Sequence, residues 1–200
     1  MQKRLIIFVG LCLLLVVPGL VFGAGKDVKA TQKNFKAPVV TLNRVEVAHY
    51  WGYWFYGGKV EVTRGKAGNN GAPLDLNFIF DIENPNSYPV AMENFNFTVA
   101  FEDFELNSVG SQEVMWIPAG KTNQLRVSAM FDVWQAFLSV GVASGLKLQE
   151  KNIVAHDQLE KWWTGIPDFS FPVNVREGSA VFKADGITGV AAFSATYPPK

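Results

Sequence analysis

The stretch LDLNFIFDIENPNSYPVAMENFNFTVAF, Leu74 to Phe101, decides the fold of this chain. Leu74, Leu76, Phe78, Phe80 and Ile82 fall on one side of an extended backbone, and Asp75, Asn77, Asp81 and Glu83 on the other. That period of two belongs to a strand with one face in a core and one in water. Asn84-Pro85-Asn86-Ser87 interrupts it, because proline fixes φ and short polar side chains bond back to turn backbone. A second alternating run, Phe95, Phe97, Val99, Phe101, then returns, so the pair reads as antiparallel strands with Phe78, Phe80, Phe97 and, farther on, Phe131 as core.

Working outward, Val39–Tyr50 predicts a strand with a bulge near Asn43. Further strands are expected at Lys59–Arg64, Phe104–Val109, Gln112–Ile117, Leu125–Phe131, Phe169–Val175, Ala180–Ala184 and Gly189–Tyr197. One convincing helix interrupts them: Asp132 suits an N-cap, and Val133–Leu148 carries apolar residues at helical spacing. Its Gly141 and Gly145 predict close packing of the helix on a sheet. Asp157–Trp163 predicts a short second helix. The fold class is therefore mainly β, an antiparallel sandwich with one principal inserted helix.

The N-terminus sets the compartment. Lys3 and Arg4 precede the apolar run Leu5–Val17, Pro18-Gly19 breaks it, and small residues follow, which is the order of a secretory signal ending at Gly23, with an uncleaved N-terminal anchor as the rival. Cys12 lies in that run without the small residue before it that lipid attachment needs. Export leaves a chain without cysteine, to be held by its core, and 16 Phe with 6 Trp make that feasible. Residues 24–38 are lysine-rich and aperiodic and are expected to be a flexible linker, with a membrane-surface contact through Lys26, Lys29, Lys33 and Lys36 as its functional reading. Residues 39–200 form the single domain. The expected location is the periplasm or envelope of a bacterium.

Chemistry is sparse. Removing Lys3 and Arg4 from 18 basic residues, against 18 acidic ones, leaves the exported chain two charges negative, which argues against nucleic acid as a partner. With only His49 and His156 and no cysteine, a Cys/His metal site and Cys–His catalysis are excluded, and no nucleophile elbow, phosphate loop or dinucleotide motif occurs, so no cofactor is implied. Glu102, Asp103 and Glu105 cluster, as glycosidases and calcium sites require, but alternation puts Glu102 on the wet face and the group is expected to be solvated. The chain is thus read as non-enzymatic. Its sharpest binding candidate is the aromatic stretch Tyr50–Tyr56, with Trp51, Trp54 and Tyr56 as ligand-binding residues, since Trp and Tyr stack on planar ligands and sit well at lipid headgroups.

The hairpin LNFIFDIENPNSYPVAMENFNFTV, with its Asn84-Pro85-Asn86 and Tyr88-Pro89-Val90, followed by IPAGKTNQLRVSAMFD and an apolar helix, resembles the group 2 late embryogenesis abundant family, the water stress and hypersensitive response domain. The likeness runs in order over Val39–Tyr197 and is sharpest over Leu74–Asp132. It implies an immunoglobulin- or fibronectin-like sandwich without catalytic residues, and a role in desiccation and stress response as a protective or accessory binding module whose partner is an unknown protein. The alternative is a carrier that holds a lipid or other apolar ligand between helix and sheet.

Overall fold

The computed structural model describes residues 28–53 and 72–199. Both strands of the central run form, but the expected pairing between them is corrected: β2 (Leu74–Glu83) and β3 (Val90–Phe101) belong to different sheets, so the turn between them carries the chain from one sheet to the other and is not a hairpin. β2 lies between β1 (Val39–Tyr50) and β6 (Thr122–Phe131) in a three-stranded sheet. The five-stranded sheet runs β4 (Phe104–Ser111), β3, β7 (Val173–Ala184), β8 (Ile187–Tyr197), with the short β5 (Met115–Ile117) also on β3. All pairings are antiparallel. The expected sandwich is therefore present, with the core between the sheets. The strand expected at Lys59–Arg64 lies outside the described residues.

Phe78 and Phe80 of β2 meet Phe95 and Phe97 of β3 with ring centroids 4.9–5.2 Å apart, and Phe193 of β8 stacks on Phe95 at 4.8 Å. The four phenylalanines expected in the core, Phe131 among them, are buried. Edge-to-face contacts of this kind add about 0.5–1.5 kcal/mol each beyond burial. In β1 the pairing jumps from Leu42 to Arg44, so Asn43 is the bulge residue, and its side-chain amide donates to Asp81 Oδ2 at 2.6 Å.

The turn after β2 does more than stop a strand. Asn84 is fully buried, and its Nδ2 donates to the carbonyls of Tyr88, Ile117 and Pro118 at 2.9, 3.1 and 3.2 Å. Its Oδ1 accepts from both the backbone N–H and Nδ2 of Asn86. Asn86 in turn exchanges two bonds with the backbone of Lys36, accepting from its N–H at 2.9 Å and donating to its carbonyl at 2.7 Å. The linker expectation is corrected here. Over residues 28–38 the segment is docked: Ala30 is buried with its N–H on Asp185 Oδ2, Tyr88 Oη donates to Asn34 Oδ1, and the Phe35 ring lies on Gly189 of β8, where no side chain stands in its way.

Two helices fill the crossover from β6 to β7, where one principal helix was expected. α1 spans Val133–Glu150, and Asp132 caps it as predicted, its Oδ1 accepting from Trp134 N–H at 2.9 Å. α2 spans Ala155–Gly165, longer than its sequence signal, and a 3-10 turn, Ile166–Asp168, follows. α2 buries Leu159, Trp162 and Trp163. Trp162 joins Phe101, Phe104 and Phe171 in a second aromatic group at this end of the sandwich, and Trp163 Nε1 donates to Ala72 O at 2.7 Å. The reading of Gly141 and Gly145 is also corrected. A Cβ built at either would meet nothing within 4 Å, so neither marks a close approach. α1 buries only Val133, Ala136, Val140 and Leu148, and small side chains on that face suffice for its contact with β4.

Candidate functional site

The carboxylate cluster resolves into a clamp. Glu102 sits in the two-residue turn between β3 and β4 at φ +53°, a left-handed conformation that costs a non-glycine residue on the order of 1 kcal/mol. The surroundings hold it there. Its N–H donates to Pro172 O at 2.8 Å, and its carbonyl accepts from Asn174 Nδ2 and Arg176 Nη2. Its carboxylate accepts from Gln158 Nε2, Lys161 Nζ and Trp162 Nε1 of α2. Glu102 is therefore half-buried and bonded, where alternation had placed it in open solvent, because a left-handed turn breaks the period of the strand before it.

Asp103, next in the turn, holds the other helix. Its carbonyl accepts from Lys147 Nζ at 2.7 Å, and its carboxylate pairs with Lys151 at 3.0 Å and Arg176 at 3.4 Å. The hydrogen bond from Lys151, then the charges of Lys151, Lys147 and Arg176, hold the Asp103 carboxyl below its ordinary range. Glu105 faces Arg176 at 3.9 Å. A cleft of about 610 Å³ opens beside this group. Each of the three carboxylates has a cation, so the arrangement ties α1 and α2 to the sheet and leaves no unpaired acid and base facing one another. Among the described residues no three His, Cys, Asp or Glu side chains converge as metal ligands.

Of the aromatic candidates, Trp51 is 69% exposed and lies 5.9 Å from the His49 ring. Its neighbour Tyr50 turns inward, donating from its hydroxyl to Trp163 O. Trp54 and Tyr56 lie outside the described residues. His156, the other histidine, stacks on Phe137 at 4.8 Å.

A surface that the sequence did not single out residue by residue lies along α1. No charged residue occurs from Val133 to Leu146; Leu138 and Val142, four apart and so in one row, are 48% and 89% exposed, and Leu146, beyond a kink at Ser144 (φ −137°, ψ 16°), is 78% exposed. Beneath the row a groove of about 500 Å³ runs between α1 and β4, lined by Leu138, Val142 and Ala143 on one side and by Glu105, Leu106 and Ser108 on the other. A further hollow of about 330 Å³ adjoins it toward Met130, Phe131 and Asp132. The available signal was the helix itself. A helix apolar on every side needs cover on every side, and the domain covers α1 only where β4 and α2 meet it. No described helix is long and apolar enough to cross a membrane.

The fold and this surface define a class, an antiparallel β-sandwich with a helical insert that presents an apolar helix face. Comparison with known proteins adds little to it. No family model and no curated protein matches the chain. Among solved structures, one described as a protein from Archaeoglobus fulgidus superposes with a TM-score of 0.40 at 11% identity, over 78% of this chain and 94% of that one. An X-ray structure of a Northeast Structural Genomics Consortium target superposes with a TM-score of 0.44 at 8% identity, over 80% of this chain and 85% of that one.

Proposed function

We propose that the protein is a non-catalytic binding module of the exported, water-stress type that its central run resembles, and that it works through the groove beneath α1. The observation that carries this reading is Leu138 and Val142 standing exposed at the groove, with Leu146 exposed farther along α1 beyond the kink at Ser144. Neighbouring exposed apolar side chains mark an interaction site more often than isolated ones do. The clamped state of Glu102, Asp103 and Glu105 favours a non-enzymatic role, since Glu102 and Asp103 hold the helical segment through Lys161 and Lys151 and Glu105 faces Arg176 of β7.

The carrier of a lipid or other apolar ligand is the second reading, favoured by Leu106, Leu138 and Val142 in the same groove. The polar Thr98, Asn107 and Ser139 in that lining weigh against it, because a pocket for an apolar molecule is lined mainly by apolar groups. Native mass spectrometry of the full-length chain purified gently from its own cells tests both. A peptide or protein adduct that is lost in Val142→Asp supports the binding module, and a lipid adduct lost in the same variant supports the carrier. Bare mass in parent and variant alike counts against the groove. For the stress role, a strain lacking the protein is expected to survive drying less well and to be rescued by the parent but not by Val142→Asp. Survival unchanged by the deletion would remove that role.

A further inference from the structure

A second surface, at the end of the sandwich that carries the docked N-terminal segment, shares no residue with the groove beneath α1. We propose that this end is a contact face for an anionic phospholipid membrane, formed by Lys29, Lys33 and Lys36 of the docked segment together with Lys121 and Trp116. The observation that carries it is how the charges are divided. Lys29, Lys33, Lys36 and Lys121 are exposed, and among the described residues none of the four has an ion pair or a side-chain hydrogen bond. Every other described lysine or arginine has a carboxylate or carbonyl partner.

The fold gathers these unpaired cations at one place. Lys36 exchanges both its backbone bonds with Asn86, and at the same turn Asn86 O accepts from Gly120 N–H while Lys121 O accepts from Asn84 N–H at 2.9 Å. Lys29 and Lys33 flank the turn at Thr31–Asn34, whose Asn34 Nδ2 donates to Lys29 O at 3.0 Å. The lysines of the segment are therefore held on a fixed strap. Trp116, 61% exposed, stands at this end too, because β5 pairs with the first residues of β3. An exposed tryptophan beside lysines suits the headgroup layer, where its ring is half in apolar surroundings and half in water. The acids at strand-end positions here are Glu83 and Asp185, since Glu93 pairs with Lys183, and one Asp185 oxygen already accepts from Ala30 N–H. They reduce the positive excess without reversing it.

Position selects a membrane as the source of negative charge. The apolar run Leu5–Val17 precedes the docked segment by only ten residues, 18–27. Ten residues reach roughly 35 Å when fully extended. The 12-residue β1 leads from the strap to the helical end, where the Tyr50 hydroxyl donates to Trp163 O, and spans roughly 40 Å at about 3.3 Å per residue. A bilayer that holds the apolar run, in export or as an anchor, therefore meets the lysine end of the domain first and the helical end last.

The test is cosedimentation of the full chain, in the form its own cells yield, with vesicles of phosphatidylcholine alone and of phosphatidylcholine with phosphatidylglycerol. A lysine near an anionic surface is worth roughly fivefold in partition, so with two acids opposing four lysines the anionic lipid should raise binding by about tenfold or more at low salt. High salt should remove the gain. Replacing the four lysines together by glutamine should abolish the gain while leaving binding to neutral vesicles and the denaturant midpoint unchanged, and replacing them by arginine should keep it. No gain in the parent, or a gain kept by the glutamine variant, overturns the proposal. So does binding of dextran sulfate without binding of anionic vesicles, which would make the face a site for soluble polyanions. Val142→Asp should keep the gain; a gain lost there and retained in the glutamine variant would move the contact to α1 and overturn it equally.

Discussion

Replacing Asn84 by alanine tests the turn that joins the two sheets. The wild-type side chain is fully buried; its two amide hydrogens are shared among the carbonyls of Tyr88, Ile117 and Pro118, and its oxygen accepts two bonds from Asn86. That makes four full bonds, those to Tyr88 and Ile117 and those from Asn86, each 3.1 Å or shorter. A typical net worth of about 1 kcal/mol per bond gives a loss of about 4 kcal/mol, and the buried carbonyls left without a donor keep the figure from being smaller. Asn84→Asp should cost at least as much. It matches the shape, but it replaces the donating amide with a carboxylate that faces the same carbonyl oxygens. Asn86→Ala is the comparison, expected at about 3 kcal/mol, because it removes both bonds with Lys36 and the one from Nδ2 to Asn84 Oδ1 but leaves Asn84 bound to Tyr88 and the turn before β6. Urea unfolding at fixed slope reads all three. A loss below about 1 kcal/mol for Asn84→Ala would show that water or a relaxed turn replaces these bonds, and would refute the sum of bonds as the measure of this turn.

Phe80→Ala removes a ring in contact with Phe95, Phe97 and Phe193 and should cost about 3–5 kcal/mol by denaturant unfolding; an unchanged midpoint would contradict its place in the core. Gly141→Ala meets open space and should stabilise the protein by about 0.5–1 kcal/mol through helix propensity, whereas a loss would restore the close-packing reading. The Asp103 carboxyl is held down in the folded state, so its contribution is present above the unfolded carboxyl value of about 4 and is lost as pH falls through the lower folded value. Between about pH 5 and about pH 3 the unfolding midpoint of the parent should therefore fall more than that of Asp103→Asn, and parallel curves would show that the clamp is not electrostatic.

The alternating run from Leu74 to Phe101 was legible because both the period and the turn chemistry are local. So were Asp132 as a cap and Asn43 as a bulge. What escaped the sequence depends on partners far along the chain. Residues 28–38 look like a tether because none of their own neighbours holds them, whereas Asn86, Asp185 and Gly189 do. Glu102 was assigned to water by a period that its left-handed backbone interrupts. Trp162 and Trp163 lie in a short helix of ordinary composition, and only the packing of α2 against the open end of the sandwich buries them. The groove is legible in half: the uncharged helix is visible in sequence, and the placement of β4 beside it comes from topology alone.

The docked segment ahead of β1 constrains the order in which the molecule can be assembled. Ala30 reaches its hydrogen-bond acceptor 155 positions later, at the tip of the β7–β8 hairpin, and Phe35 rests on β8, the last strand to be made. Contacts of such separation form late, since closing the long loop costs entropy before the contact repays any of it. The earliest residues of the domain therefore find their seat only after the final ones exist. A chain truncated before Ile187 would keep Asp185 but lack Gly189 and β8, and folding that begins during synthesis must wait for β8 before this segment can be seated.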